Sequence, residues 1–204
     1  AACEVFISRR LVAAMLKDDR DGHAVFRDEV EFALLQCLAR QGRRIPVVIA
    51  DDRADADRFQ SANKGLVDRL REIGGDKSAL ILCGFSRGSI GCNYIGLHDD
   101  TIAARWRAFV SYSHYDGERT KWPYANADRA SALERLKRLK GRPQFICMER
   151  STKPIEDYLQ QTGISGDFTF VPILFPNHND RWTLRDIPER KAVREWLVRV
   201  LRNP

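Results

Sequence analysis

The chain has 204 residues, of which 44% are hydrophobic and 30% are charged, and its formal net charge is +6. This length fits one domain, residues 1–204, that buries a substantial core. No segment approaches the apolar length of a membrane span, and the first residues lack the basic and apolar regions of a signal peptide. We therefore expect a soluble protein with no membrane span. The compartment stays open, with the cytoplasm slightly favoured, and so does the oligomeric state.

The basic excess is interspersed with acidic residues, as where Arg190 and Lys191 lie beside Glu189 and Glu195. Such mixing is typical of a solvated face, and no zinc-finger or RNA-recognition signature is present. The five cysteines are odd in number and form no CxxC pair, which argues against both a disulfide framework and a zinc site. We expect no nucleic-acid partner and no bound zinc.

Short apolar segments that predict strands alternate with segments of helical spacing along almost the whole chain. The strands are expected at residues 4–8, 46–50, 79–83, 108–112, 144–148 and 168–171, and the helices around 30–38, 66–73, directly after Ser86, at 133–139 and at 193–201. Because parallel neighbours need crossover connections, this alternation predicts a compact α/β fold, a three-layer α/β/α sandwich with a mostly parallel sheet of about six strands. Ligands of such sheets bind beyond the carboxyl ends of the strands.

The segment Gly84-Phe85-Ser86-Arg87-Gly88 matches the pattern G-x-S-x-G and directly follows a buried strand. Glycines at both ends of this sharp turn avoid backbone clashes and leave the serine hydroxyl exposed above the sheet. The helix behind the turn directs its positive end at the serine, which favours developing negative charge. The competing interpretation is an ordinary strand–helix turn, and the strand–turn–helix context favours a catalytic Ser86 over it.

With this motif in this context, the chain resembles the α/β-hydrolase superfamily of serine esterases and peptidases. The resemblance implies a nucleophile, an acid and a histidine in that chain order, with the histidine after the last strand and before the terminal helix. Among four histidines, His178 meets both conditions. The resemblance also implies that the backbone amide of Arg87 helps to hold the oxyanion.

The acid that orients the histidine has two expected places in this family, and the sequence leaves both open. Glu149 lies at the end of the strand before the histidine strand, although the aspartate usually found a few residues later is replaced by Ser151 and Thr152. Asp116 lies in a turn one strand earlier. We favour Glu149 slightly over Asp116, and Asp157, which falls in a predicted helix, is a distant third.

Several residues in loops at the same predicted edge are candidates for substrate binding. We expect His114 and Tyr115 to line the cleft, and Trp122 and Trp182 either to line an acyl-binding pocket or to cap the core. The second oxyanion amide is expected near residues 8–10, where the His-Gly run common in the family is absent. The usual antiparallel N-terminal strands are also absent, so either the fold is a minimal version or upstream sequence is missing.

These observations predict a serine hydrolase, carboxylesterase-like, that cleaves an ester or related acyl bond of a small-molecule substrate through an acyl-enzyme intermediate, with no metal or organic cofactor. Peptidase, thioesterase and acyltransferase activities belong to the same superfamily, and fold does not choose among them. One alternative is a non-catalytic α/β-hydrolase-like binding protein, which the missing His-Gly run favours. A polyanion-binding module is the third hypothesis, motivated only by the net charge.

Overall fold

The computed structural model describes residues 47–49, 80–119, 126–174 and 178–202. Within them, five strands form one parallel sheet in the order β1-β2-β3-β4-β5. The strands are β1 (Val47–Ile49), β2 (Ile81–Phe85), β3 (Ala108–Tyr112), β4 (Gln144–Glu149) and β5 (Phe168–Ile173). Each lies within or overlaps a segment that the apolar pattern predicts as a strand. The first predicted strand, residues 4–8, lies outside the described residues.

Helices connect the strands from β2 to β5 and follow the last one. They are α1 (Arg87–Tyr94), α2 (Asp100–Ala103), α3 (Arg129–Lys137), α4 (Lys153–Thr162) and α5 (Pro188–Arg202), with a 3-10 helix at Asp180–Leu184 before α5. Local side chains fix several ends: the Asp128 carboxylate accepts a hydrogen bond from the Ser131 amide at the start of α3, and Gly163 ends α4 at a φ of 66°. The α/β class predicted from the sequence is confirmed.

Two separate hydrophobic clusters cover the two faces of the sheet, because successive side chains of a strand point to opposite sides. Leu82, Phe109 and Ile146 belong to the first cluster, together with side chains of α1, α3 and α4. Their sequence neighbours belong to the second cluster, together with Trp182 and the inner face of α5. Strands β2, β3 and β4 are therefore buried on both faces, which is why they read as continuous apolar runs.

The register of the sheet brings the carboxyl ends of four strands to one edge. Phe85 at the end of β2 pairs with Tyr112 at the end of β3, which in turn pairs with Cys147 near the end of β4. Glu149, the last residue of β4, pairs with Ile173, the last residue of β5. The segments that follow these strands therefore converge on the same place. In the described parts of the chain, no helix is long and apolar enough to cross a membrane.

Candidate active site

Ser86 lies in a sharp turn between β2 and α1. Its backbone adopts φ 55° and ψ −124°, an uncommon conformation for a residue with a side chain, and its amide donates to the Tyr112 carbonyl at 2.9 Å. The turn is so tight that a Cβ on Gly84 would lie 2.2 Å from the Gly88 carbonyl oxygen. The glycine spacing of the motif is therefore a steric requirement of this turn.

His178 lies between a hydroxyl and a carboxylate. Its Nε2 is 3.1 Å from the Ser86 Oγ, and its Nδ1 is 2.7 Å from Glu149 Oε1. With the ring proton on Nδ1, the imidazole donates to Glu149, and Nε2 accepts from the serine hydroxyl. The ring packs against Phe85, with centroids 4.9 Å apart, and 54% of the His178 side chain is exposed. The three side chains thus form an unbroken line from carboxylate to hydroxyl.

Glu149 is held as an anion by the groups around it. Partial burial raises the pKa of Glu149, but hydrogen bonds from its own backbone amide, from His178 and from Ser113 outweigh burial and lower this pKa. The Tyr112 hydroxyl is close by and donates to the Asn179 carbonyl at 3.2 Å. Burial and the charge of Glu149 raise the pKa of Tyr112, so this phenol stays neutral.

The other two carboxylates considered from the sequence have different partners. Asp116 is buried and accepts two hydrogen bonds from Arg135, at 2.7 Å from Nε and 3.0 Å from Nη2. Burial raises the pKa of Asp116 against the opposing effect of Arg135. Asp157 lies on α4 and pairs with Lys153. The structure places Glu149 next to His178, whereas the Asp116 carboxylate is buried in an ion pair with Arg135.

Two of the tyrosine and tryptophan side chains predicted to line the site are buried in the core. Tyr115 is fully buried in the first cluster, where its hydroxyl donates to Gln144 at 2.5 Å, and Trp182 is 2% exposed in the second cluster with its ring edge-on to Tyr112. Neither side chain can line an open cleft, so the substrate-binding prediction does not fit their positions. Trp122 lies outside the described residues.

His114 is half-buried next to the site, with its ring centroid 6.2 Å from that of His178. Burial, together with the charges of Arg119 and His178, lowers the pKa of His114, which keeps this imidazole neutral near pH 7. Its backbone is tied to the start of α1, because its amide donates to the Ser89 Oγ at 3.2 Å. Of the described residues that were predicted to bind substrate, His114 is therefore the one that lies next to His178.

The predicted oxyanion donor, Arg87, is the first residue of α1. The amides of the first helical turn have no acceptor within their own helix, so the Arg87 N–H is not used by α1. The second amide, predicted near residues 8–10, lies outside the described residues.

Ser113 also contacts this group, although the sequence analysis did not single it out. Its Oγ lies 3.3 Å from His178 Nδ1, and it directly follows β3, the strand between those that carry Ser86 and Glu149. A polar residue at the end of that middle strand is the signal that could have identified it. Among the described residues, no three His, Cys, Asp or Glu side chains converge as metal ligands.

Comparison with known proteins finds similarity only among solved structures, since no protein-family model and no curated protein matches the chain. A ferulic acid esterase matches with a TM-score of 0.48 and 11% identity over 70% of this chain and 61% of that one. S-formylglutathione hydrolase (FrmB) from Staphylococcus aureus matches with a TM-score of 0.46 and 13% identity over 70% of this chain and 60% of that one.

The isopeptidase AtxE2 matches with a TM-score of 0.44 and 13% identity over 90% of this chain and 32% of the isopeptidase. The chain spans about three-fifths of the esterase and of the formylglutathione hydrolase. Identities this low, 11% to 13%, assign no substrate to this chain.

Proposed function

We propose that this protein is a serine hydrolase that cleaves an ester or related acyl bond through Ser86, His178 and Glu149. The observation that carries the proposal is the position of His178, with Nε2 at 3.1 Å from the Ser86 Oγ and Nδ1 at 2.7 Å from Glu149. A serine hydroxyl is a weak nucleophile until an adjacent base can take its proton. An imidazole held in the correct tautomer by a carboxylate is such a base.

The proposed reaction has two halves. In the first, the Ser86 Oγ bonds to the substrate carbonyl carbon while His178 Nε2 takes the hydroxyl proton, and the carbonyl oxygen becomes an oxyanion facing the Arg87 amide. The tetrahedral intermediate then expels the alcohol, which receives the proton from His178, and leaves an acyl-enzyme. In the second half, water gives its proton to His178 and attacks the acyl carbon, which releases the acid and restores Ser86. Glu149 stabilises the imidazolium in both halves.

We further propose that the whole chain is one domain that completes a three-layer α/β/α sandwich of about six strands, with residues 4–8 supplying a strand beyond the described five. Hydrophobic clusters on both faces of the described sheet support this architecture. We propose a small-molecule acyl substrate, which the site can admit because 54% of the His178 side chain is open to solvent. Short acyl esters are therefore the first substrates to assay.

Covalent labelling with a fluorophosphonate tests the proposal directly. Intact mass should show one adduct on the wild type, no adduct on Ser86→Ala and strongly slowed labelling of His178→Ala. Circular dichroism of each variant controls for loss of the fold. A folded wild type that takes no label would contradict the proposal and would favour the non-catalytic binding protein instead.

A further inference from the structure

Ser113 is held in an uncommon backbone conformation at the edge of the sheet. It is 2% exposed and has a φ of 86°, in the left-handed region that residues with a side chain rarely adopt. Its amide donates to the Cys147 carbonyl at 2.9 Å, which ties the end of β3 to β4. A glycine would take this conformation without strain, so the backbone alone gives no reason for a serine here.

The hydroxyl of Ser113 lies beside both partners of the acid–imidazole pair. Its Oγ is 3.3 Å from His178 Nδ1, and its proximity to the Glu149 carboxylate helps to lower the pKa of that group. An ionised carboxylate only accepts hydrogen bonds, so a Ser113 hydroxyl that serves Glu149 does so as a donor and leaves its lone pairs for Nδ1. An oxygen acceptor in that position favours the tautomer with the proton on Nδ1, which is the tautomer that leaves Nε2 free to accept the Ser86 proton.

We infer that Ser113 is a positioning residue that fixes the tautomer and orientation of His178 by bridging Nδ1 and the Glu149 carboxylate. This role rests on the proposed serine hydrolase function. Ser113 touches neither Ser86 nor the place of the reacting carbonyl, so it acts through His178 and Glu149. It lies at the end of β3, one strand before Glu149, and supplies a hydroxyl there, while the nearby carboxylate of Asp116 is paired with Arg135.

The test compares Ser113→Ala and Ser113→Gly with the wild type. Both variants remove the hydroxyl, but only glycine also relaxes the backbone at φ 86°. Ser111→Ala is the matched control, since Ser111 is buried on the same strand two positions earlier. The rate of fluorophosphonate labelling is measured for each protein across pH, because this rate reports how strongly Ser86 is activated.

Both Ser113 variants should label about tenfold more slowly than the wild type at the pH of maximal rate, as expected for a lost hydrogen bond to a charged group. Ser111→Ala should keep the wild-type rate.

A second readout uses the ¹⁵N shifts of the four histidines, which distinguish the two neutral tautomers. The wild type should carry its His178 proton on Nδ1, and both variants should show a larger share of the other tautomer. A wild-type labelling rate with an unchanged His178 tautomer in Ser113→Ala, or full activity restored by Ser113→Gly, would overturn the inference while leaving the hydrolase function intact. A wild type that takes no label overturns both.

Discussion

Replacing Glu149 by glutamine tests which carboxylate supports the histidine, because the change removes the negative charge and keeps the shape. The charge of Glu149 stabilises the imidazolium that forms when Ser86 attacks. At a separation of about 4 Å between charge centres, this attraction is about 4 kcal/mol for an effective dielectric constant near 20 and about 1 kcal/mol in bulk water. The site lies between these limits, with 54% of the His178 side chain and 22% of the Glu149 side chain exposed.

An intermediate value of about 2–3 kcal/mol corresponds to a loss of about 30- to 150-fold in kcat/KM. The assay is hydrolysis of a short p-nitrophenyl ester under pseudo-first-order conditions, with fluorophosphonate labelling as a second measure. We expect KM to change little, because Glu149 lies behind the imidazole and away from the substrate.

Asp116→Asn is the matched control, since it removes the charge of the other carboxylate that the family pattern allows. Measured below its melting temperature, it should keep kcat/KM within about threefold of the wild type, because its partner is Arg135 at 2.7 Å and not His178. Equal activity of Glu149→Gln and wild type, or a larger loss in Asp116→Asn than in Glu149→Gln, would refute the assignment of the acid.

Two further predictions concern stability. Gly84→Ala should lower the free energy of unfolding by more than about 3 kcal/mol in a urea titration, because the new Cβ would meet the Gly88 carbonyl at 2.2 Å; a loss below about 1 kcal/mol would show that the turn is not as tight as described. Burial raises the pKa of Asp180 to about 6, so the folded state favours the protonated carboxyl, and the free energy of unfolding should fall as the pH rises from about 4 to about 6. Asp180→Asn should remove this fall. Allowing for the partial exposure of the group, this variant should raise the free energy of unfolding at pH 7 by about 1–2 kcal/mol, measured by thermal unfolding. A pH dependence of stability that is the same in the variant and the wild type would contradict the reasoning.

The sequence predicts the strands well, for a simple physical reason. Strands buried on both faces must be apolar throughout, so β2, β3 and β4 could be recognised from their apolar runs. Gly84 marks the turn before Ser86 because a side chain does not fit there. His178 is identified only through the resemblance to the α/β-hydrolase superfamily, which implies a histidine after the last strand and before the terminal helix.

Other features of the site depend on contacts that a sequence does not display. Glu149 and Asp116 look alike in the sequence, and only the folded chain shows that Arg135 pairs with Asp116. Tyr115 lies in a loop and Trp182 in a short 3-10 helix, yet both rings turn inward and fill the core, where apolar burial stabilises them. In the sequence, Ser113 cannot be distinguished from other serines that follow a strand. Only the folded chain shows its positive φ and the contact of its hydroxyl with His178.

The alignment of strand ends at one edge has a consequence for how activity arises as the chain folds. Ser86 and His178 are 92 positions apart, and they meet only after β2, β3, β4 and β5 have paired in register. A partly folded chain, or one still being synthesised, therefore carries a serine with no base to activate it. Contacts between such distant residues form late in folding. The enzyme proposed here would therefore stay inert until the chain has folded through His178, so shorter or partly folded forms would not hydrolyse esters by this route.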